Sequence, residues 1–324
     1  MNKDSKILIV GHDDIIENSL FSYFQSNGYE NVFSSSKSSL DTTDQQAVEK
    51  YFVKNKPEYV FLASTRSGGI EANQKCAAEF MYHNLVSQNN IIFSSKENGV
   101  KKLLFYASSC VYPKICEQPM REDMILTGQM EKTSEPYSTA KAAGIKLCQA
   151  FKKQYDFNAI VMIPATVFGP QSNTDIESSH VIGALLNKFH TAVTEQKDEV
   201  VVWGTGKPRR EFLYIDDFID ASLFLMDKYD GDDVVNVGSG SDMEIKELAN
   251  IIAEICGFQG GIVFDETKLD GTMQKLLDNS KISELGFKTK VNLEDGIKKT
   301  YNWFSAEGGP ASGGKNKETR EHVK

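Results

Sequence analysis

Tyr137 and Lys141 lie four residues apart in a segment with helical character, and this spacing places both side chains on one face of a helix. An ammonium beside the phenol is expected to lower the pKa of the phenol and to let Tyr137 exchange a proton with a carbonyl or alcohol oxygen. Ser108 follows an apolar run and is able to hydrogen-bond the same oxygen. Taken alone, such a Tyr and Lys are about ten times more often an ordinary surface pair.

The segments around these residues alternate between short apolar runs and longer stretches with helical spacing. The sequence predicts strands at residues 7–10, 31–35, 59–63, 102–107 and 159–163. Helices are expected after the first strand and at residues 44–55, 73–98 and 138–155. Strict alternation is typical of the α/β class, with a doubly wound, Rossmann-like parallel sheet and right-handed crossovers. Ligands bind beyond the carboxyl ends of such strands.

Beyond residue 170 the alternation loosens, which predicts a division of the chain. Residues 1–170 are expected to form a dinucleotide-binding domain, to which parts of residues 205–240 return. Residues 171–304 are expected to form a smaller C-terminal α/β substrate lobe. Residues 305–324 are rich in glycine and then mostly charged, so they have too little apolar surface to fold and are predicted to be a disordered tail.

Composition excludes several classes of protein. The formal net charge of −9 over 324 residues, with no basic run before the tail, predicts neither a nucleic-acid partner nor an anionic membrane partner. The apolar runs are too short to span a bilayer, and the N-terminal segment lacks the apolar core of a signal peptide, so we expect a cytoplasmic protein. Five scattered cysteines without a paired motif predict neither a disulfide framework nor a metal site.

A set of ordered blocks makes the chemistry more specific. These blocks are residues 68–70 (GGI), 108–114 (SSCVYPK), 135–137 (EPY), 143–148 (AGIKLC), 179–182 (SHVI), 201–204 (VVWG), 210–213 (REFL) and 270–272 (DGT). Over about residues 6–304 the sequence resembles the GDP-L-fucose synthase family of extended short-chain dehydrogenases, whose signature is a Ser and a Tyr-x-x-x-Lys pair. In this context we favour a catalytic role for Tyr137 and Lys141 over an ordinary surface pair.

The resemblance implies an enzyme that epimerises GDP-4-keto-6-deoxy-D-mannose at C3 and C5 and then reduces C4 with NADPH. It assigns proton transfer at C3 and C5 to Cys110 and His180, and the reduction to Ser108, Tyr137 and Lys141, with Lys141 holding the nicotinamide ribose. The implied cofactor-binding residues are Gly11, Tyr137, Lys141, Pro164, Ala165, Thr166, Val167 and His180. Without the resemblance, Cys110 is a small buried residue and His180 a helix-start residue satisfied by backbone partners.

The resemblance also implies residues that bind the GDP-sugar. Lys188 and Arg210 are expected to meet the diphosphate, because cationic donors form charge-assisted hydrogen bonds. Trp203 is expected beside the nucleotide, and Asp270 and Lys275 in a loop that closes over it. The alternatives are a solvated charge for Arg210 and a core anchor of the second lobe for Trp203. A homodimer through the helices near residues 73–98 and 138–155 is also implied.

The turn after the first strand departs from the family pattern. Three glycines are expected there, so that backbone amides approach the cofactor pyrophosphate. Only Gly11 is present, Asp14 and Glu17 occupy the other two glycine positions, and Asp13 replaces the basic residue that favours the 2′-phosphate of NADPH. Three carboxylates therefore crowd an anion site. Alternatively, Asp13 and Asp14 cap the following helix and face solvent, and the cofactor binds weakly or in a shifted pose.

The sequence leaves three alternatives open: an epimerase-reductase, an epimerase that no longer reduces, and a non-catalytic relative that binds a sugar nucleotide or a partner subunit. An interaction or regulatory protein that uses the family's dimer surface is a fourth, from a different class. Retention of all five chemical groups weighs against the non-catalytic relative. These groups are Ser108, Cys110, Tyr137, Lys141 and His180.

Overall fold

A computed structural model describes residues 1–12, 14–176 and 179–306 of the chain. The predictions made for Asp13 and for residues 307–324 lie outside the described residues. The strands are β1 (Ile7–Val10), β2 (Val32–Ser34), β3 (Tyr59–Leu62), β4 (Lys102–Tyr106), β5 (Ala159–Pro164), β6 (Thr166–Phe168), β7 (Glu199–Trp203), β8 (Arg209–Tyr214), β9 (Val234–Val237), β10 (Asp242–Glu244), β11 (Gly261–Asp265) and β12 (Gln274–Lys275).

The helices lie between these strands and after them. They are α1 (Ile15–Ser26), α2 (Gln45–Asn55), α3 (Ile70–Lys75), α4 (Ala77–Glu97), α5 (Glu135–Tyr155), α6 (Val181–Thr194), α7 (Ile215–Lys228), α8 (Ile245–Cys256), α9 (Ser280–Glu284) and α10 (Leu293–Ala306). Three single turns of 3₁₀ helix add to them, at Ser109–Val111, Glu122–Met124 and Lys132–Ser134.

The central sheet has six strands in the order β2-β1-β3-β4-β5-β9, and every neighbouring pair is parallel. All four residues of β1 are fully buried, as expected for a strand that helices cover on both faces. The strand order reverses between β1 and β3, where a doubly wound sheet opens a crevice beyond its carboxyl ends. The doubly wound α/β fold predicted from the sequence is therefore confirmed.

Two predicted helices differ from those observed. The long helix expected at residues 73–98 is divided into α3 and α4, because the backbone of Cys76 leaves the helical region with φ −113° and ψ 31°. The helix expected from residue 138 begins three residues earlier, with Pro136 in its first turn, where a missing N–H is tolerated. Tyr137 consequently lies at the amino end of α5.

The second lobe is built around β8. This strand pairs with β6 and β12 in parallel and with β10 in the antiparallel sense, while β7 and β11 form a separate parallel pair. In the segment that was expected to return to the first domain, β9 pairs with β5. α10 continues through Ala306, so the predicted start of the tail at residue 305 is wrong by two residues. Within the described residues, no helix is long and apolar enough to cross a membrane.

Candidate active site

Gly11 ends β1 at the floor of the crevice, where the backbone is tightly packed. Its N–H donates to Ser35 Oγ at 2.9 Å, and Ser35 Oγ donates back to the Gly11 carbonyl at 3.0 Å. A Cβ on Gly11 would lie 2.5 Å from the Cβ of Glu17. Glycine is required at this position because the side chain of Glu17, which occupies the third glycine position of the family pattern, fills the space beside it.

Asp14 and Glu17, the residues at the missing glycine positions, both make specific contacts. Asp14 is the N-cap of α1 and accepts a hydrogen bond from the Glu17 N–H at 2.9 Å. Burial raises the pKa of Asp14 to about 6, and the nearby Glu17 charge adds to this. Asp14 thus caps the helix as expected, but its carboxyl group is largely desolvated and does not simply face solvent, while the expectation for Asp13 lies outside the described residues.

Glu17 turns away from the helix end toward the carboxyl end of β2. Its side chain is fully buried, and Oε1 accepts hydrogen bonds from Ser34 Oγ at 2.7 Å and from the Ser36 N–H at 3.1 Å. The acidic residue of a dinucleotide fold that binds the adenosine ribose commonly lies at this edge of the sheet. The turn therefore carries two carboxyl groups that are held by the protein's own donors.

Ser108 follows β4 and organises the neighbouring turn. Its Oγ accepts a hydrogen bond from the Cys110 N–H at 3.3 Å and caps the 3₁₀ turn that contains the cysteine. The same hydroxyl lies near the side chains of Cys110 and Tyr137 and lowers the pKa of both groups. The carboxyl end of β4 and the amino end of α5 therefore bring together the three groups that the sequence singled out.

The expected lowering of the Tyr137 pKa by Lys141 is wrong. Burial raises the pKa of the phenol, the charge of Cys110 adds to this, and the Ser108 hydrogen bond opposes it. The Lys141 ammonium does not offset the burial, because it donates to backbone carbonyls, to Tyr106 O at 3.1 Å and to Ser64 O at 3.5 Å. The phenol therefore stays protonated near neutral pH and is suited to donate its proton.

Lys141 is fully buried, and burial lowers the pKa of its ammonium to about 7, while Asp14 opposes the change. The other residues predicted to bind the cofactor lie at the same edge of the sheet. Pro164 ends β5, Thr166 and Val167 lie in β6, and the Ala165 N–H donates to Val237 O at 2.8 Å. A buried cation at the carboxyl ends of β3 to β5 fits the nicotinamide half of a dinucleotide, so the residues present fit the cofactor at this end.

Cys110 is half-buried and lies against a second lysine. Lys275 Nζ is 3.5 Å from Cys110 Sγ. Burial alone raises the pKa of the thiol, but the Lys275 ammonium and hydrogen bonds with Ser108, Lys275 and Ser134 outweigh it, so the pKa is lowered. Sequence reasoning missed Ser134, although it directly precedes the EPY block.

His180 is the N-cap residue of α6, and its side chain does not hydrogen-bond the helix end. His180 is an exposed residue, yet desolvation by the surrounding protein lowers the pKa of its imidazole, and the Lys275 charge lowers it further. The interpretation of His180 as a residue satisfied by backbone partners of the helix finds no support. The charge of the Lys275 ammonium therefore lowers the pKa of both Cys110 and His180.

The residues expected around the nucleotide lie on the second lobe. Trp203 is 41% exposed, so its alternative interpretation as a core anchor is wrong. Lys188 Nζ lies 4.6 Å from the centre of the Trp203 ring and donates to Val201 O at 2.9 Å. Lys268 Nζ lies 5.0 Å from the same ring. Sequence reasoning missed Lys268, which lies only two residues before Asp270.

Arg210 and Asp270 are joined at the entrance to this lobe. One Arg210 Nη donates to Asp270 O at 3.4 Å, and burial lowers the pKa of the guanidinium. The interpretation of Arg210 as a solvated charge is therefore wrong. The Asp270 carboxylate accepts from the Thr205 N–H and hydroxyl, both at 2.8 Å. Lys275 lies in β12 opposite Arg210 and not in a loop, which corrects its expected place.

Comparison with known proteins agrees with this arrangement. The model of the NAD dependent epimerase/dehydratase family matches residues 7–238. GDP-L-fucose synthase 1 of Arabidopsis thaliana is 46% identical over 303 residues, which cover 94% of this chain and 94% of the relative.

Two solved structures from Campylobacter jejuni have the same fold. A GDP-6-OMe-4-keto-L-xylo-heptose reductase superposes with a TM-score of 0.90 at 35% identity, covering 95% of this chain and 99% of the other. A GDP-mannoheptose C4 reductase with NADP bound superposes with a TM-score of 0.86 at 36% identity, covering 94% and 99%. With a family model that matches residues 7–238 and a relative that is 46% identical over 94% of this chain, this protein belongs to the NAD dependent epimerase/dehydratase family.

Proposed function

We propose that the chain is a GDP-L-fucose synthase-like enzyme, which epimerises a GDP-4-keto-6-deoxy-sugar at C3 and C5 and then reduces C4 with NADPH. The observation that carries this proposal is the contact of Cys110 with both Lys275 and Ser108, beside the phenol of Tyr137. A thiol poised for proton transfer next to a protonated phenol suits both steps. The names of the relatives support the GDP-sugar substrate.

Epimerisation next to a ketone needs one group that removes a proton and another that returns it on the opposite face. The lowered pKa of Cys110 favours the thiolate, which is able to remove the proton and leave an enolate. The pKa of His180 is lowered as well, so its protonated imidazole is a stronger acid than that of an ordinary histidine. It returns a proton to the same carbon on the opposite face. The Cys110 thiol then releases its proton to solvent and the His180 imidazole takes one up, and the same exchange at the second carbon completes the epimerisation.

Reduction uses the neighbouring groups. NADPH supplies a hydride to C4 when it is bound. Tyr137 donates its phenolic proton to the C4 oxygen, and Ser108 hydrogen-bonds the same oxygen. Lys141, fixed by two backbone carbonyls, is placed to hold the nicotinamide ribose, and Pro164, Ala165, Thr166, Val167 and His180 complete the proposed cofactor site.

The nucleotide is proposed to bind on the second lobe. Trp203 offers an exposed ring for the base, and two ammonium groups already lie against that ring, those of Lys188 and Lys268. Arg210 and Lys188 are proposed to meet the diphosphate. Burial lowers the pKa of both cations, which indicates that nearby acidic groups do not fully neutralise their charges. An anionic ligand is therefore expected to stabilise them.

One second candidate is an epimerase that does not reduce. The observation that favours it is the pair of carboxyl groups on the turn, since Asp14 takes the N–H of Glu17 at the helix end, where a pyrophosphate binds in dinucleotide folds. Epimerisation consumes no NADPH, so weak cofactor binding would leave it intact. The two candidates share Cys110 and His180 and differ only in the second step.

The test is to incubate the protein with GDP-4-keto-6-deoxymannose in deuterated water, with and without NADPH, and to identify the sugar. The proposed function predicts deuterium at C3 and C5 in both samples, and a reduced 6-deoxyhexose only with NADPH. Exchange without reduction at saturating NADPH would establish the epimerase. Reduction without any exchange would make the chain a C4 reductase, the activity that the name of one structural neighbour states.

We also propose that the enzyme is a cytoplasmic homodimer. α4 and α5 pack side by side and expose aromatic side chains, those of Tyr82, Phe93 and Tyr155, which are 63%, 49% and 47% exposed. Exposed apolar side chains on one pair of helices favour a second copy as the partner. Analytical ultracentrifugation measures this directly, and a Tyr82→Glu, Phe93→Glu variant is expected to sediment as a monomer.

A further inference from the structure

Lys275 belongs to a strand, and the strand fixes where its ammonium points. β12 pairs in parallel with β8 and sets Lys275 opposite Arg210. The next residues are anchored as well, because the Leu276 N–H donates to Gln118 Oε1 at 2.9 Å and the Leu277 N–H donates to Glu211 Oε2 at 2.8 Å. A braced backbone therefore holds the ammonium 3.5 Å from a thiol that is 165 residues away in the chain.

We propose that Lys275 is a positioning residue for epimerisation, whose ammonium lies against the Cys110 thiol and holds it as the thiolate. The inference rests on the proposed function, in which this thiolate removes protons from the carbons beside the ketone. It gives Lys275 a role in the chemistry in addition to the nucleotide contact that the sequence predicts.

Several charged and polar groups face the Cys110 thiol. They are Lys275 on β12, Arg210 on β8, Tyr137 on α5, and the hydroxyls of Ser108 and Ser134. Both cations favour the thiolate, and the hydroxyls are able to donate to it. The phenol of Tyr137 has a raised pKa and carries no charge near neutral pH. The described surroundings of the thiol are therefore electropositive, as in other proteins with reactive cysteines.

Lys275 faces three more titratable groups, and they show how far its charge acts. They are Cys116, Glu131 and His180, and the ammonium lowers the pKa of each of them. For Cys116 burial outweighs this effect and the pKa is raised, whereas for Cys110 the Lys275 ammonium and the hydrogen bonds with Ser108, Lys275 and Ser134 together outweigh burial. The Lys275 ammonium thus acts on the base of the epimerisation in the direction that proton removal requires.

The thiol itself is the first readout. Alkylation of Cys110 by iodoacetamide, followed by peptide mass mapping, reports its thiolate fraction as a function of pH without any sugar present. In Lys275→Met we expect the midpoint of this profile to move to higher pH and the alkylation rate at neutral pH to fall about tenfold, which corresponds to one pKa unit. Lys275→Arg keeps the charge and is expected to restore most of the rate.

Controls separate this electrostatic role from loss of structure. Lys246→Met removes an exposed lysine from α8 and is expected to leave the Cys110 profile unchanged. If Lys275→Met does not fold, as judged by circular dichroism, Lys275→Gln takes its place in the same measurement. An unchanged alkylation profile in a folded variant that lacks the ammonium overturns the proposal.

The second readout is the pH profile of deuterium incorporation into the sugar. Without the ammonium the pKa of Cys110 rises, so the limb of the profile that reports the thiolate is expected to move to higher pH. A merely structural role would lower the rate and leave that limb in place, which would also overturn the proposal. Absence of exchange in the unmodified enzyme would instead contradict the proposed function, since the thiol measurement does not depend on it.

Discussion

The carboxylate of Asp14 accepts a hydrogen bond from the backbone N–H of Glu17 at 2.9 Å, so an acid caps the first turn of α1. In dinucleotide folds this helix end faces the pyrophosphate, whose binding depends on free N–H groups and the positive end of the helix dipole. Here one N–H is already occupied, and the cap adds a negative charge when it is ionised. Cofactor binding should therefore depend on the charge of Asp14.

Asp14→Asn tests this dependence. Asparagine is as good an N-cap as aspartate, so the helix end is kept while the charge is removed. Because the pKa of Asp14 is raised to about 6, the group is ionised above that pH and neutral below it. We expect the unmodified protein to bind NADP⁺ more tightly as the pH falls through about 6, and Asp14→Asn to lack this part of the pH dependence.

The magnitude follows from the distance between the charges. Repulsion between a carboxylate and a phosphate a few ångströms apart opposes binding by a few kcal/mol at a dielectric constant of about 20. Screening reduces this effect, and we expect it to weaken the affinity for NADP⁺ about tenfold. Titration calorimetry above and below the pKa of Asp14, on both proteins, measures it. Identical pH profiles for the two proteins would show that the Asp14 charge does not reach the cofactor.

Tyr137→Phe is expected to stop reduction and to spare exchange. The substitution removes the phenolic proton and keeps the buried ring, and loss of a general acid commonly costs about a hundredfold or more. Deuterium incorporation at C3 and C5 depends on Cys110 and His180 and should stay within about threefold of the unmodified rate. Mass spectrometry of the sugar follows both reactions. Loss of both activities in a folded variant would contradict this division of labour.

Cys110→Ser is expected to have the opposite effect. A serine hydroxyl is a far weaker acid than a thiol, so the ammonium of Lys275 cannot ionise it near neutral pH. Exchange at C3 and C5 should fall by about a hundredfold or more, while a substrate already epimerised is still reduced with NADPH. Undiminished deuterium incorporation would remove Cys110 from the mechanism.

The core of the fold could be predicted from the sequence because its signals are local. β1 was predicted with its observed bounds, since it is a short apolar run next to a glycine that ends a strand. The division of the long helix at Cys76 was not predicted, because its apolar spacing continues across the break.

The site could be predicted as a set of residues but not as a network of charges. Lys275 was expected in a loop because β12 is only two residues long and exists through its pairing with β8, which has no local signal. The rise in the Tyr137 pKa depends on burial, and the partners of Lys141 are backbone carbonyls of distant residues. Contacts between residues far apart in the chain decide both properties.

Gly144→Ala tests the packing that holds α5 against the sheet. A Cβ on Gly144 would lie 2.5 Å from Phe105 Cζ and 2.9 Å from Gln88 Oε1, and both of these side chains are buried. Gln88 is not free to move, because its amide donates to Ala140 O at 2.7 Å. Overpacking of this kind lowers the free energy of unfolding by about 1–3 kcal/mol. In the other direction, alanine stabilises a helix by about 1 kcal/mol relative to glycine. We therefore expect a lower free energy of unfolding, measured as a lower denaturant midpoint.

Thr139→Ala, on the exposed side of the same helix, is the control. It gains helix propensity without a clash and is expected to leave the midpoint unchanged or slightly raised. A higher midpoint for Gly144→Ala than for Thr139→Ala would show that α5 does not approach Phe105 this closely.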